Sequence, residues 1–570
     1  MPETELSPSA HVDTFCRDNL PPRELWPDFL FDVPEVRYPD RLNVATVLLD
    51  DVIGPDGAGA DRPCVLAPDG TRWTYGELRE RANQLAHVLV EQLGLVPGNR
   101  VLLRGPNNPW LVAAWFAVLK AGGVVVPTMP MLRPKELATI GEIGRFDIAL
   151  CDHRFTEDLL AAQIPNLRTL TYGGTAEEVA ASDLQDITVL AADQPTTFQD
   201  VDTAADDISM LAFTSGTTGR PKATMHFHRD ILANADTFSH YVLRPQPDDV
   251  FIGTPPIAFT FGLGGLVVFP LRVGASTLMV ERATPDQLAD LIEEHGATIC
   301  FTAPTAYKAM LAGGRASALT SLRRAVSAGE HLPRPTWEEF HEQTGLKLID
   351  GIGSTEMLHI FISAADDDIR PGSTGVPVPG YQAKIVDKAG QDAPDGTPGR
   401  LAVKGPTGCR YLADERQTVY VHDGWNLTGD TFVRDADGYF WYQARSDDMI
   451  VSSGYNISAN EVEEALASHA GVMEVAVVAA PSEERGHVVK AYVVPTGGRE
   501  RLAAEGGEEV LRKELQDHAK AQIAPYKYPR EIEFIDALPR TSTGKVQRFR
   551  LRQEAAGEAG AAGPAPGPRP

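Results

Sequence analysis

Nine consecutive residues, Thr214-Ser215-Gly216-Thr217-Thr218-Gly219-Arg220-Pro221-Lys222, bring together four hydroxyls, two glycines and two cations. The glycines let backbone amides approach phosphate oxygens, the hydroxyls add donors and Lys222 adds charge, so the stretch suits an anion. The GxxxxGK[ST] spacing of a Walker A loop is absent, and Pro221 would interrupt the helix that follows such a loop. Residues 208–213 and 223–227 on either side read as strands, which makes this a strand-to-strand loop.

Further along lie Asp350-Gly351-Ile352-Gly353-Ser354-Thr355-Glu356, Thr428-Gly429-Asp430, Arg445 with Asp447 and Asp448, and Pro539-Arg540-Thr541-Ser542-Thr543-Gly544-Lys545. A carboxylate such as Glu356 beside a triphosphate calls for a divalent cation between them. A flexible ammonium on a loop, such as Lys545, suits charge that develops only as a leaving group departs. Two weaker clusters point elsewhere. His226 and His228 read as lying on one face of a strand without a visible third metal ligand, and Asp366 to Asp368 read as a solvated loop without EF-hand spacing.

The elements that must hold these residues alternate. Thr74 and Glu77 form a capping box ahead of an amphipathic helix carrying Leu78, Ala82, Leu85 and Leu89, and a strand (101–103), helix (109–121) and strand (124–126) then make a βαβ unit. Between 286 and 350 the pattern recurs, with strands expected at 298–301, 324–327 and 347–350 and helices between them. A large layered α/β domain is expected. Beyond about Arg445 a shorter unit reads as α+β, and the Ala-, Gly-, Glu- and Pro-rich tail from Ala555 is expected to be disordered.

Composition narrows the classes. A formal net charge of -26 disfavours nucleic-acid binding, and 43% hydrophobic with 23% charged residues is ordinary for a globular protein. The apolar run from Trp110 stops at Lys120, short of a membrane span, so no membrane partner and a cytoplasmic address are expected. The five cysteines are scattered singly and read as reduced, and a homodimer is the default expectation for oligomeric state.

In order, from about Thr74 to Lys545, these motifs resemble the ANL superfamily of adenylating enzymes, which includes acyl- and aryl-CoA synthetases, nonribosomal adenylation domains and luciferases. The resemblance implies an N-terminal adenylate-forming domain (1–444), a small mobile C-terminal domain (445–554) and the tail (555–570). It implies that Thr214, Ser215, Gly216, Thr217, Thr218, Gly219 and Lys222 bind the ATP phosphates, and that Asp350, Gly351 and Ile352 border the adenine. Thr355 would meet the α-phosphate, Glu356 would help hold Mg2+, and Asp430 and Arg445 would hold the ribose. Asp447 matches the hinge of the small domain, Gly454 the glycine of the CoA channel, and Lys545 the lysine that closes over the site during adenylation. Ala444 and Val451 depart from the common pattern, the latter where many relatives carry lysine.

The implied reaction converts an acid and ATP to acyl-AMP and pyrophosphate, and then coenzyme A takes the acyl group. Residues 350–360 resemble benzoate-CoA ligases, whereas Pro21 to Pro27 and Arg37 to Asn43 resemble 2-aminobenzoate-CoA ligases, which favours a small aromatic acid. Thr260, Phe261, Ala328, Gly329, Gly353, His359 and Ile360 would line its pocket on the same resemblance. Thr260 or His359 could meet an ortho substituent. Rival readings are an enzyme that loads a carrier protein, a non-catalytic acyl-AMP-binding protein and, more remotely, a luciferase-like oxidation.

Overall fold

The computed structural model describes residues 6–57, 59–214, 220–329, 332, 334–387, 389–445, 449–482, 484–499, 502, 507–539, 546 and 548–561. They divide into two compact units, one of Met1–Pro130, Ile140–Thr214 and Lys222–Ser446, the other of Met131–Thr139, Ser215–Pro221 and Asp447–Pro570.

In the first unit the βαβ reading holds, with parallel strands Arg100–Arg104 and Val124–Thr128 joined by helix Pro109–Lys120. Asn108 caps this helix by accepting from the Leu111 N–H, and Pro109 takes a first-turn position where its missing N–H costs nothing. The helix is apolar almost all round and therefore buried, each large side chain contributing roughly 1.5–3 kcal/mol. Its last residue, Lys120, is also buried and is neutralised by Asp50 and Asp200 at 2.5 and 2.9 Å.

These strands belong to a six-stranded sheet that ends in Ile208–Thr214 and Lys222–Phe227, an antiparallel pair. The two strands expected on either side of residues 215–221 are therefore present. A nine-stranded sheet has a parallel centre that includes Val250–Gly253, Ile299–Thr302, Arg324–Ser327 and Leu348–Gly353. Helices Pro304–Ala312 and Arg334–Thr344 make the crossovers that parallel neighbours require. A five-stranded antiparallel sheet built between Gln382 and Arg445 completes the unit.

The second unit pairs Val472–Ser482, Gly486–Pro495 and Glu531–Phe534 in one sheet, with helices Ala459–Ala467, Glu508–Gln522 and Arg548–Ala561. A separate hairpin joins Met449–Ser452 to Tyr455–Ser458 through Ser453 and Gly454, both at positive φ (48° and 79°), the conformation that tight two-residue hairpin turns favour. One expectation needs correction. The last helix continues through Ala561 into the segment expected to be disordered, because Leu551 and Ala555 bury one face against Val478, Val488 and Tyr492.

No described helix is long and apolar enough to cross a membrane. All five cysteines are buried and free.

Candidate active site

Parallel strands Arg324–Ser327 and Leu348–Gly353 end side by side, with Ser327 opposite Asp350. Such C-terminal strand ends are where open α/β sheets gather ligands. Ser327 Oγ donates to Asp350 Oδ1 over 3.4 Å, and Ser363 Oγ donates to the Asp350 carbonyl over 2.5 Å. Burial pushes the Asp350 carboxyl up to about 7, against the pull of the Gly351 amide and Ser327, although part of its surface stays open. The chain then turns back tightly. A Cβ on Gly353 would lie 2.5 Å from the His359 carbonyl oxygen, so only glycine lets the returning backbone approach this closely.

Inside that turn Met357 N–H donates to Ser354 Oγ at 3.2 Å, and Glu356 is directed into the protein with 7% of its surface exposed. Glu356 Oε1 accepts from the Tyr411 hydroxyl at 2.5 Å and from Lys222 Nζ at 3.3 Å. Lys222 also donates to the Tyr411 oxygen at 2.6 Å and lies over the Tyr411 ring at 4.6 Å. Burial alone would raise the Glu356 pKa, but the Lys222 charge and the Tyr411 bond outweigh it and leave the carboxyl below its ordinary range. Tyr420, which packs edge-on against Tyr411, shares a 3.2 Å hydrogen bond with Ser354.

The acid-pocket candidates cluster at the other end of the turn. Phe261 lies 5.4 Å from the His359 ring, and Phe269 and Phe238 lie 4.6 and 5.5 Å from it. Phe301 closes on Phe261 at 5.6 Å. His359 Nε2 donates to the Phe261 carbonyl over 3.3 Å, and its Nδ1 has no hydrogen-bond partner among the described residues. Burial pushes His359 down to about 3, so the imidazole is neutral at physiological pH. A small cavity beside it is lined by Thr260, Leu263, Gly264, Asn234 and Ile231. Leu358, next in chain, holds a positive φ of 71°, a strained conformation of the kind found at ligand sites.

The AMP-binding enzyme family profile matches residues 56–411, and that of the family's C-terminal domain matches residues 461–545. The chain belongs to the AMP-binding enzyme family. It is similar to the benzoate–CoA ligase of Thauera aromatica, at 34% identity over 91% of this chain and 97% of that protein. It is also similar to the 4-hydroxybenzoate–CoA/benzoate–CoA ligase of Rhodopseudomonas palustris, at 35% over 84% and 88%. Among solved structures, the anthranilate CoA ligase AuaEII in complex with anthranoyl-AMP superposes with a TM-score of 0.70 at 33% identity, covering 93% of this chain and all of that one. The chain is thus an AMP-forming CoA ligase of the ANL superfamily, with ATP and CoA as the substrates that the family implies.

Measured against the motifs of this AMP-binding enzyme, the structure brings Lys222 and Glu356 together, and it places Thr355 one residue from Glu356 with Asp350 to Gly353 on the preceding strand. Thr260, Phe261, Ala328, His359 and Ile360 are buried or half-buried, while Gly329 and Gly353 are exposed. Asp430 stands opposite Arg445 in the register of two antiparallel strands. Ser215 to Gly219, Asp447 and Lys545 lie outside the described residues, as does the Arg445 side chain.

His226 lies one residue before the end of its strand at Phe227 and His228 opens the next helix, which corrects the expectation that both lie on one strand face. Each has a local structural partner, the Thr355 carbonyl for His226 Nε2 and the Val44 N–H for His228 Nδ1. Asp366 and Asp367 bind Arg244, Arg324 and Lys347. Tyr411, Tyr420, Phe301 and Phe269 were not singled out by sequence reasoning. Each reads as an ordinary core residue locally, and only pairing between distant segments reveals it.

Proposed function

We propose that this enzyme activates a small aromatic carboxylic acid, of the 2-aminobenzoate, salicylate or benzoate type, as its aryl-AMP and then passes the aryl group to coenzyme A. The observation that carries this reading is the aromatic enclosure of Phe261, Phe301 and Phe269 around a neutral His359, one turn from Glu356. A flat ring suits such walls, and a neutral imidazole does not draw a second carboxylate. The names of the aromatic-acid ligases to which the chain is similar support the same class.

In this reading Lys222 and the 214–219 loop hold the phosphates, Thr355 meets the α-phosphate, Asp350 to Ile352 border adenine, and Asp430 and Arg445 hold the ribose. Glu356, a buried carboxylate of hard oxygens near the lysine of the phosphate loop, fits Mg2+, which takes one or two carboxylates and completes its shell with phosphate oxygens and water. Bound there, Mg2+ would offset charge on the phosphates. The substrate carboxylate attacks the α-phosphate with Lys545 stabilising the departing charge. The small domain (445–554) then turns about Asp447, and the thiol of coenzyme A enters beside Gly454 to give aryl-CoA and AMP.

The test is pyrophosphate release with ATP and Mg2+ over benzoate, 2-aminobenzoate, salicylate, cinnamate, fatty and amino acids, each with and without CoA. Release with one aryl acid, an aryl-CoA product only when CoA is present, and loss of release in Lys545→Ala are the expected results. Release without thioester moves the acceptor to a carrier protein. Preference for a fatty or amino acid overturns the aromatic assignment.

A further inference from the structure

Tyr411 belongs to none of the motifs above, yet its hydroxyl is the one atom that touches both Lys222 and Glu356 among the described residues. Those partners stand 189 and 55 positions away in sequence. Its position is set from both sides. Tyr411 N–H donates to the buried Gln417 Oε1 at 2.9 Å, and the flanking backbone joins the strand that Lys222 begins, through Met225 N–H to Arg410 O at 2.8 Å and Leu412 N–H to Ala223 O at 2.9 Å. Gln417 is itself held by donating to the Leu25 and Cys409 carbonyls. Tyr411 and Lys222 are thus carried on adjoining backbone segments, and their separation does not depend on a flexible loop.

The bond polarity has one solution. Lysine can only donate and an ionised carboxylate can only accept, so the phenol accepts from Lys222 and gives its single proton to Glu356. Lys222 cannot serve Glu356 and an ATP phosphate equally, because both are anions competing for one ammonium. The uncharged hydroxyl has no such competitor. A satisfied polar chain in a buried site is also stiffer than either bond alone.

We propose that Tyr411 is a positioning residue for the metal–nucleotide complex: its hydroxyl fixes Glu356 Oε1 so that the carboxylate stays aimed at the divalent cation of ATP when Lys222 turns to the phosphates. This rests on the reading of Glu356 as the cation's carboxylate. Tyr411 would touch neither the acid nor the reacting phosphorus, and it acts only through Glu356 and Lys222.

Tyr411→Phe removes the hydroxyl and keeps the ring that packs on Tyr420. It is compared with wild type and with Glu356→Gln by calorimetric titration of ATP in excess Mg2+ and in EDTA, with no acid present, alongside the KM for the acid in pyrophosphate release. In Tyr411→Phe, ATP affinity in Mg2+ is expected to fall about tenfold while affinity in EDTA stays within twofold. The KM for the acid should be unchanged. Wild-type Mg2+ dependence in Tyr411→Phe would overturn the proposal, and so would an equal loss in Mg2+ and EDTA with a lowered melting temperature, which marks a packing role. If Glu356→Gln keeps its Mg2+-dependent affinity, the reading of Glu356 itself fails. If Glu356→Gln loses that affinity and Tyr411→Phe does not, only the role of Tyr411 fails.

Discussion

His226 Nε2 donates to the main-chain carbonyl oxygen of Thr355 across 2.8 Å, which ties the end of the strand that begins at Lys222 to the turn that carries Thr355 and Glu356. Both His226 and its neighbour Asp230 are fully buried, with His226 Nδ1 at 3.8 Å from Asp230 Oδ2. The strand therefore contributes Lys222 at one end and a brace for the turn at the other. Replacing His226 by leucine keeps much of the volume and removes the bond. Stability is expected to fall by about 1–2 kcal/mol and the rate of pyrophosphate release by roughly tenfold, with little change in the KM for the acid. An unchanged rate with normal melting would show that the turn needs no brace.

Asp350 offers a pH test. Its folded pKa, about 7, lies above the ordinary 3.8, so the folded state holds a proton that the unfolded chain releases between those values. Its cost to stability is absent below about pH 4 and fully present above about pH 7. Asp350→Asn should therefore melt higher than wild type at pH 8 and match it near pH 4. In the proposed reading Asp350 borders the adenine, so in wild type the KM for ATP should rise as pH falls through 7, where this carboxyl takes up a proton. A pH-independent difference in melting would remove the assignment of this carboxyl.

Arg410 is fully buried, pairs with Asp230 and lies 3.9 Å from the Phe227 ring centroid. Burial would raise the Asp230 pKa, and the Arg410 charge holds it below its usual range instead. Removing only the cation strands a buried carboxylate, so Arg410→Ala should lose about 3–5 kcal/mol in urea unfolding. The double variant Arg410→Met with Asp230→Leu should recover most of that loss. Equal losses in the single and double variants would show that ring packing, rather than charge pairing, supplies the stability.

Gly264 tests the acid pocket without removing any pocket side chain. A Cβ there would meet His359 Cδ2 at 2.3 Å, and His359 is enclosed by Phe238, Phe261 and Phe269. Gly264→Ala must push the imidazole toward the aromatic walls. The KM for the acid is expected to rise about tenfold, equivalent to about 1.4 kcal/mol, while the KM for ATP stays within twofold. A parallel rise in both would place this cluster away from the acid.

Contiguous features were legible from the chain alone. The capping box at Thr74 and Glu77, the alternation of strands and helices from 286 to 350 and the turn that presents Glu356 each depend on neighbours within a few residues, where capping and periodicity act. The residues proposed to hold phosphate were legible for the same reason, since their glycines, hydroxyls and lysine are consecutive. Even local reading missed by a little at Phe227, where the capping bond from its N–H to Asp230 ends the strand and starts a helix beneath His228. It missed also at Ala555, whose burial holds a helix in a composition that suggested disorder. What only the tertiary structure decided was which distant residues meet: Tyr411 with Lys222 and Glu356, His226 with Thr355, Ser327 with Asp350, and Phe301 with Phe261. Sheet order and strand register set those meetings, and the free energy that selects them is spread over the whole buried core, so no short stretch of sequence encodes them.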